Sequence, residues 1–161
     1  MGNLPQKRKK WDFQILKRFD MKTKSVKKQE TDRKVNKILH ELMEEHDGKC
    51  TGCDGRKPLD PSHLIRRSLA PNLVTCKKNI KPHCRSCHDI WDSGDAYKMV
   101  ELYDFFDNMD AIKEMSREKY VILDSKVNNA LFSDKYFFDL YYTKLREHDL
   151  RKLKKKHGIT G

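Results

Sequence analysis

Two Cys-x-x-Cys pairs constrain the fold of this chain more than any other feature of its sequence. Cys50 and Cys53 form the first pair, and Cys84 and Cys87 form the second. A pair with this spacing turns the backbone so that both thiolates point at one metal ion, and two pairs supply the tetrahedral ligand set that structural zinc prefers. The sequence therefore predicts a zinc site made of four cysteines.

Disulfide bonding and redox activity are the alternatives to zinc. The chain has five cysteines, an odd number, and no apolar run of a secretory signal follows its basic N-terminal region, so a disulfide framework is disfavoured. A redox Cys-x-x-Cys pair stays open, but two pairs that flank a basic, histidine-bearing segment favour zinc. Cys76 fits neither pair and is interpreted as a buried or spare thiol.

A structural metal also suits the composition. Only 37% of the 161 residues are hydrophobic, against roughly 45–50% apolar residues in typical globular chains. The core is therefore expected to be small, and zinc binding would add folding free energy directly. No stretch approaches the ~18 apolar residues of a membrane-spanning helix, so we expect a cytoplasmic protein with no membrane partner.

The net charge of +11 is unevenly distributed along the chain. Residues 49–85, the basic island, hold nine basic and two acidic residues, whereas residues 86–143 hold six basic and twelve acidic ones. Basic residues also exceed acidic ones in the two terminal stretches, 1–37 and 144–161, which include a basic arm at each end. This pattern predicts a polyanionic partner, with phosphate at the basic island, the arms as auxiliary clamps and the acidic helices facing away.

Helical spacing of apolar residues predicts a helix over 31–47, with Thr31 as its N-cap and Gly48 as its stop. Before it, residues 1–30 form a Lys-rich arm that is either disordered or holds a short amphipathic helix at 11–19. After the second cysteine pair, three more apolar stripes predict three helices, and their side chains are interpreted as core. These stripes are Met99, Val100, Tyr103 and Phe106; Ile112 and Met115; and Phe137, Phe138, Tyr141, Tyr142 and Leu145.

These patterns divide the chain into a basic N-terminal arm (1–30), a central module with its leading helix (31–95), a helical extension (96–150) and a basic C-terminal tail (151–161). Within the central module, thirty residues separate the two cysteine pairs, whereas a plain zinc ribbon needs only ~15–20. Short β-type runs at 63–65 and at either 73–75 or 80–81 predict a hairpin in this interval.

This interval and the residue after the second cysteine pair carry the residue types that phosphodiester hydrolysis requires. His63 and His88 are not needed as zinc ligands, and a histidine can deprotonate a water near neutral pH. Asn79 can fix the orientation of a histidine ring, and Arg66 or Arg67 can hold a phosphate through two hydrogen bonds. A hard divalent ion would neutralise the phosphate and stabilise the leaving oxygen.

In this pattern, the segment 50–88 resembles the HNH endonucleases, the ββα-metal nuclease group. Their signature is a histidine on the first strand, an asparagine leading into the second strand and a histidine on the following helix. The matching positions are His63 in Ser-His-Leu-Ile, Asn79 in Asn-Ile-Lys-Pro-His-Cys and His88 in Cys-Arg-Ser-Cys-His. Residues 60–94 also resemble phage recombination endonucleases of the NinG/Rap type.

The resemblance implies an α+β, mostly helical fold, in which a ββα-metal (HNH) core with a structural four-cysteine zinc follows a long helix and precedes several helices. It implies metal-dependent hydrolysis of DNA phosphodiester bonds in phage or mobile-element DNA processing or recombination, in the cytoplasm of a bacterium or a phage-infected host. The cofactors would be structural Zn²⁺ and a catalytic Mg²⁺ or other divalent ion. DNA would be the partner, and the sequence does not identify a protein partner.

The resemblance also implies a role for each residue of the motif. His63 would be the general base, Asn79 would hold the loop and the His63 ring in place, and His88 would bind the catalytic ion. Arg66 or Arg67 would hold a phosphate. Contacts with nucleic acid are expected from Arg66, Arg67, Lys77, Lys78, Lys81 and Arg85.

One position departs from the family pattern. Many members have an acidic metal ligand immediately before the first histidine, where this chain has Ser62. Either Asp60 reaches the catalytic ion, or Ser62 and waters complete its shell, since Mg²⁺ keeps several waters. His83 is a weaker candidate for binding metal or phosphate, or it faces outward beside the cysteines.

Two other functions compete with nuclease activity. A non-catalytic, zinc-stabilised DNA- or RNA-binding module would use the basic segments to bind phosphates without cleaving them, and the serine at position 62 favours this alternative. A protein-interaction adaptor would use the acidic, aromatic helices of the extension, but their aromatic side chains are interpreted as core.

Overall fold

The computed structural model describes residues 25–158, which form an α+β fold of six α-helices, two short 3₁₀-helices and a two-stranded sheet. The helices are α1 (Val26–Glu45), α2 (Arg85–Ser93), α3 (Ala96–Met99), α4 (Phe105–Met115), α5 (Arg117–Ser133) and α6 (Lys135–Lys156). The strands are β1 (Leu59–His63) and β2 (Ile80–Cys84), and the 3₁₀-helices are Pro71–Leu73 and Lys77–Asn79. Helix predominates over strand, which confirms the predicted class. The helix predicted at 11–19 lies outside the described residues.

Helix α1 begins earlier than the sequence predicts. Ser25 is its N-cap, and the serine side chain accepts a hydrogen bond from a backbone N–H of the first turn at 3.3 Å. The predicted cap, Thr31, is wrong: it lies inside the helix and donates its hydroxyl to a main-chain carbonyl of the preceding turn at 2.9 Å. Residues 26–30 are all exposed, so no buried stripe marks this start. The helix ends at Glu45, and Gly48 follows with a φ of +67°, a conformation typical of residues that end helices.

The sheet is an antiparallel hairpin with a long connection. The strand predicted at 63–65 is displaced, because β1 ends at His63, which pairs with Ile80 at the start of β2. Of the two predicted sites for the second strand, the later is confirmed and the earlier, 73–75, is wrong. Residues 71–73 form a 3₁₀-helix instead, with Pro71 in its first turn, where the fixed φ and the missing N–H of proline are tolerated.

Helices α1 and α2 both pack on this hairpin. Val35 of α1 forms a small buried cluster with Ile80 of β2. Helix α2 begins directly after β2, as predicted, with Cys84 as its N-cap. The Trp91 indole N–H donates to the Leu64 carbonyl at 3.1 Å. The two strands and α2 therefore form one packed unit in which the end of β1 contacts the helix.

The helical extension differs from the prediction in two places. The stripe from Met99 to Phe106 predicts one helix, but α3 ends at Met99 and α4 begins at Phe105. Between them, Tyr103 donates its backbone N–H to the Gly52 carbonyl at 3.0 Å, so it contacts the first cysteine turn rather than continuing a helix. Helix α5 is not predicted because its apolar residues form no clear helical stripe.

The main core is formed by side chains of helices α2 through α6 together with those of the cysteine-bearing segments. Phe105 and Phe137 are 1% and 0% exposed, which confirms their assignment to the core. The assignment is wrong for Tyr103, Phe138 and Tyr142, which are between 42% and 46% exposed. Successive residues of a helix point in different directions, so neighbouring aromatic residues cannot share one buried face. None of the helices between residues 25 and 158 is long and apolar enough to cross a membrane.

Candidate metal centre and active site

The four thiols of the two cysteine pairs lie together, as the sequence predicts. Their sulfur atoms are all within 4.8 Å of one another, and Cys53 Sγ is 3.8 Å from Cys84 Sγ. Zinc with tetrahedral Zn–S bonds of ~2.3 Å places its ligands about 3.8 Å apart, so this group could hold a metal ion such as zinc. Among residues 25–158, no other group of three or more His, Cys, Asp or Glu side chains meets this spacing.

Main-chain hydrogen bonds and one glycine shape the first cysteine turn. Cys50 donates its N–H to the Gly55 carbonyl at 3.0 Å, and its sulfur accepts the Cys84 N–H at 3.2 Å. Gly52 is needed for space, because a Cβ there would lie 3.0 Å from Cβ and Sγ of Cys87. The backbone of the first turn therefore fits closely against the second pair.

Burial and hydrogen bonding divide the thiols by acidity. Burial raises the pKa of Cys50 and of Cys87. Burial also opposes ionisation of Cys84, but the Cys87 backbone N–H and the neighbouring thiols lower the pKa of Cys84 to about 7. The group therefore holds fewer than four thiolates near neutral pH, and metal binding would release the protons that are left.

His83 belongs to a buried network beside the cysteines. Its side chain is fully buried, and its Nε2 lies 2.9 Å from Asp104 Oδ2, which also accepts the Thr51 hydroxyl at 2.6 Å. Although burial opposes ionisation of Asp104, these hydrogen bonds hold its pKa below the usual range. The prediction that His83 faces outward is wrong. Sequence reasoning missed Asp104, because no spacing rule links the start of α4 to β2.

A cavity of about 390 Å³, the histidine cavity, opens beside the end of β1 and the first turn of α2. Its lining residues are Asp60, Pro61, His63, Arg66, Arg67, Arg85, His88 and Asp92. Six of the predicted site residues are therefore brought together, although they come from a strand, a loop and a helix. Asp92 was missed, and its position four residues after His88 on one helix is the signal that could have found it.

Some predicted site residues lie outside this lining: Ser62, Lys77, Lys78, Asn79 and Lys81. Two of these lysines are engaged in ion pairs. Lys77 Nζ lies 2.6 Å from a carboxylate oxygen of Glu45 in α1, and Lys78 Nζ lies 2.6 Å from one of Glu114 in α4. Their charges are therefore largely compensated by helices that pack beside the basic island.

The His63 ring is placed to act as a base. It is 6% exposed, and its Nε2 lies 3.0 Å from the Val74 carbonyl oxygen. A carbonyl only accepts, so this contact assigns the proton to Nε2 and leaves the lone pair on Nδ1. Burial lowers the pKa of His63; hydrogen bonding to the Val74 and Pro61 main chain opposes this shift, and the charge of Arg67 adds to it. The ring is therefore neutral near pH 7.

Asn79 closes the loop between the two strands. Its side chain is fully buried and accepts the Ile65 N–H at 2.7 Å, while its amide group donates to the Ile65 and Leu73 carbonyls, each at 3.1 Å. Leu73 precedes the residue whose carbonyl holds the His63 ring. The asparagine therefore fixes the loop directly and the ring through that loop.

The surroundings of His88 fit a divalent cation. His88 Nε2 lies 3.5 Å from Asp92 Oδ2, while His88 Nδ1 is buried and has no hydrogen-bond partner. Ser62 is fully buried and its Oγ also lacks a partner, but Ser62 does not line the cavity. Because His88 does line it, its unpaired Nδ1 is available to a ligand in the cavity. The carboxylate of Asp60 lines the same cavity, and Mg²⁺ prefers such oxygen ligands.

The three arginines of the histidine cavity each have a partner within the protein. Arg66 donates to the main-chain carbonyl of Asp92. Arg67 Nη1 lies 3.3 Å from a carboxylate oxygen of Asp32, and Arg85 forms an exposed i,i+4 pair with a carboxylate on α2. These contacts are at the surface, where an ion pair contributes little, so a bound phosphate could share or replace them.

Comparisons of the chain with models of protein families, with curated proteins and with solved structures give no match. The site is therefore interpreted from its own geometry and chemistry. Two features carry that interpretation: a group of four thiols suited to zinc, and a separate cavity lined by two histidines, two carboxylates and three arginines.

Replacing Cys84 by serine should abolish metal binding, since it removes one of the four thiols of the group. We expect about one zinc per purified chain in the wild type and close to none in Cys84→Ser. Elemental analysis measures this ratio, and thermal unfolding should show a lower midpoint for the variant. Cys76→Ser is the control, because Cys76 lies outside the group with its sulfur 4.0 Å from Met115 Sδ. Equal zinc content in both variants would contradict the assignment.

Replacing Asn79 by alanine should strongly destabilise the fold. Three main-chain groups of the loop lose their partner, and each buried unsatisfied group costs ~1–3 kcal/mol. We expect the free energy of unfolding to fall by about 3 kcal/mol or more in urea denaturation of the zinc-loaded chain. Asn129→Ala on the exposed face of α5 makes the same chemical change and should have almost no effect. Similar stability of the two variants would contradict the role of Asn79 in holding the loop.

Proposed function

We propose that the chain is a metal-dependent endonuclease of the HNH type, which hydrolyses DNA phosphodiester bonds in phage or mobile-element DNA processing. The observation that carries the proposal is the convergence of His63 and His88 on one cavity lined by three arginines. The order of two strands and a helix also agrees with the family's ββα arrangement, as does the position of Asn79, which holds the loop between the strands. The four-thiol group supplies the rigid frame.

In this proposal, His63 is the general base. Its Nδ1 accepts a proton from the attacking water, because Nε2–H is committed to the Val74 carbonyl. Asn79 is a positioning residue, since it holds the loop that presents this carbonyl. The buried, neutral ring is in the protonation state that a base needs near pH 7.

The catalytic cation would be held by His88 together with an oxygen ligand. The Asp60 carboxylate lines the cavity, and the unpaired Ser62 hydroxyl is the alternative. When bound, Mg²⁺ or another divalent ion neutralises phosphate charge and stabilises the leaving oxygen. Asp92, beside His88 Nε2, keeps the ring oriented. Arg66, Arg67 and Arg85 would bind the phosphates on either side of the scissile bond.

A non-catalytic nucleic-acid-binding module is the second candidate. The observation that favours it is the fully buried serine at position 62, where many HNH enzymes have an acidic ligand. Such a module would bind DNA or RNA with strong salt dependence and would cleave neither. His63 would then be a satisfied core histidine with no effect on the bound nucleic acid.

Replacing His63 by alanine should abolish cleavage while leaving the fold intact. We expect wild type to nick supercoiled plasmid DNA with Mg²⁺ or Mn²⁺, and His63→Ala to do so about 10²–10⁴-fold more slowly, the usual contribution of a general base. Gel analysis over time measures the rate, and zinc content and DNA affinity should be unchanged. His40→Ala, which removes an exposed histidine from α1, is the matched control.

Two outcomes would overturn the proposal. If His63→Ala and wild type gave the same products at the same rate, the cleavage would come from a contaminant or another site. If wild type bound DNA but cut linear, supercoiled and branched DNA with none of Mg²⁺, Mn²⁺ or Co²⁺, the binding-module alternative would stand.

A further inference from the structure

A second cavity, of about 690 Å³, lies beside the first cysteine turn and shares no lining residue with the histidine cavity. We call it the basic cavity. It is bordered by the end of α1, the cysteine turn, β2, the start of α4 and the last turns of α6. Its basic lining residues are His46, Lys49, Lys81, Arg151 and Lys155.

The acidic residues of the basic cavity are already engaged. Asp104 is bonded within the buried network of His83 and Thr51. Asp107 lies 3.2 Å from Lys152 Nζ on the neighbouring α6. The third acidic residue, in the cysteine turn, pairs with Lys49 at 3.4 Å. Two of the three carboxylates are therefore paired with other lysines, and Asp104, on which the charge of Lys81 also acts, is shared with the buried network.

Three cations of the basic cavity have no ion pair with any residue between 25 and 158: Lys81, Arg151 and Lys155. Burial lowers the pKa of His46, and the positive charges of Lys81 and Lys155 lower it further, while Glu45 and Asp104 act in the opposite direction. A strand and the end of a distant helix thus direct like charges at one concave surface. Such convergence gives this surface a positive potential that favours binding of an anion.

Arg151 is preorganised for an anion. Its Nη2 donates to the Tyr103 carbonyl at 3.0 Å, and its guanidinium carbon lies 4.9 Å from the centre of the Tyr103 ring. A guanidinium held in this way loses little conformational freedom on binding, and it offers a planar set of donors that matches a phosphate. Lys81 and Lys155 supply further charge from other sides of the cavity.

We propose that the basic cavity binds backbone phosphates of a nucleic acid, at a site separate from the histidine cavity. The choice of nucleic acid as the source of the phosphates rests on the proposed function, whereas anion binding at this place does not. The cations come from β2 and from two successive turns of α6, so they are spread along the cavity wall, which suits successive phosphates of a chain better than a single free one. The site holds the nucleic acid but takes no part in hydrolysis.

Charge removal within α6 provides the test. The variant Arg151→Gln/Lys155→Gln removes two charges from the basic cavity, and Lys154→Gln/Lys156→Gln removes two from the same turns outside its lining. Binding of a fluorescent DNA duplex is measured at several NaCl concentrations without added divalent ion. We expect the cavity variant to raise the Kd about tenfold and to reduce the salt slope by about two, with a clearly smaller change in the control. Lys155→Gln against Lys154→Gln repeats the test if Arg151 proves necessary for folding.

Three outcomes separate this proposal from the endonuclease proposal. If the two variants weaken binding equally, the basic cavity is not a phosphate site. If poly-glutamate displaces the duplex as well as unlabelled DNA does at equal charge, the ligand is an acidic protein and the nucleic-acid assignment fails. If wild type binds DNA through the cavity but never cleaves it, the endonuclease proposal fails while the phosphate site stands. Cleavage at saturating DNA should be equal in the cavity variant and wild type.

Discussion

The convergence of four thiols fixes the geometry on which both cavities depend. Cys84 ends β2 and caps α2, so the second pair sets the direction in which α2 leaves the hairpin. The next residue after that pair is His88, whose position in the histidine cavity is therefore tied to the metal group. On the other side, Gly52 and Thr51 of the first turn contact the segment that starts α4. A single divalent ion would thus organise the hairpin, α2 and the extension in a chain with a small core.

Buried polar groups of two kinds surround this centre. Asn79 has three hydrogen bonds to main-chain groups, so its amide is fully used in holding the loop. Ser62 Oγ and His88 Nδ1 are equally buried but unpaired. A folded chain gains nothing in stability from unpaired buried polar atoms. Unpaired atoms also occur on His83, Asp104 and Asn108, which lie outside the histidine cavity. A missing partner therefore does not mark a ligand position by itself, and His88 is distinguished because it also lines that cavity.

The sequence predicts local features well and long-range ones poorly. The cysteine grouping, the start of α2 after Cys84 and the stop near Gly48 follow from short spacings and turn preferences, and the structure agrees with them. The single helix predicted across Met99 to Phe106 fails because a backbone hydrogen bond to Gly52, remote in sequence, takes precedence over periodicity. Asp104 is missed for the same reason, since only the folded chain brings it to β2. Periodicity describes one element at a time and carries no information about such contacts.

Charge patterns show the same limit most clearly. The basic island has a high density of positive charge, yet Lys78 is paired with Glu114 of α4, so the expectation that the acidic helices face away from the island is wrong for α4. Lys77 is likewise paired with α1, whereas Lys81, four residues later, forms no direct salt bridge among residues 25–158 and lines the basic cavity. A sum of charges over residues 49–85 counts these lysines as equivalent. Folding distinguishes them, because it compensates the cations that lie against acidic helices and leaves others to converge with Lys155 from the far end of the chain. The free charges, and not the total, determine where a polyanion can bind.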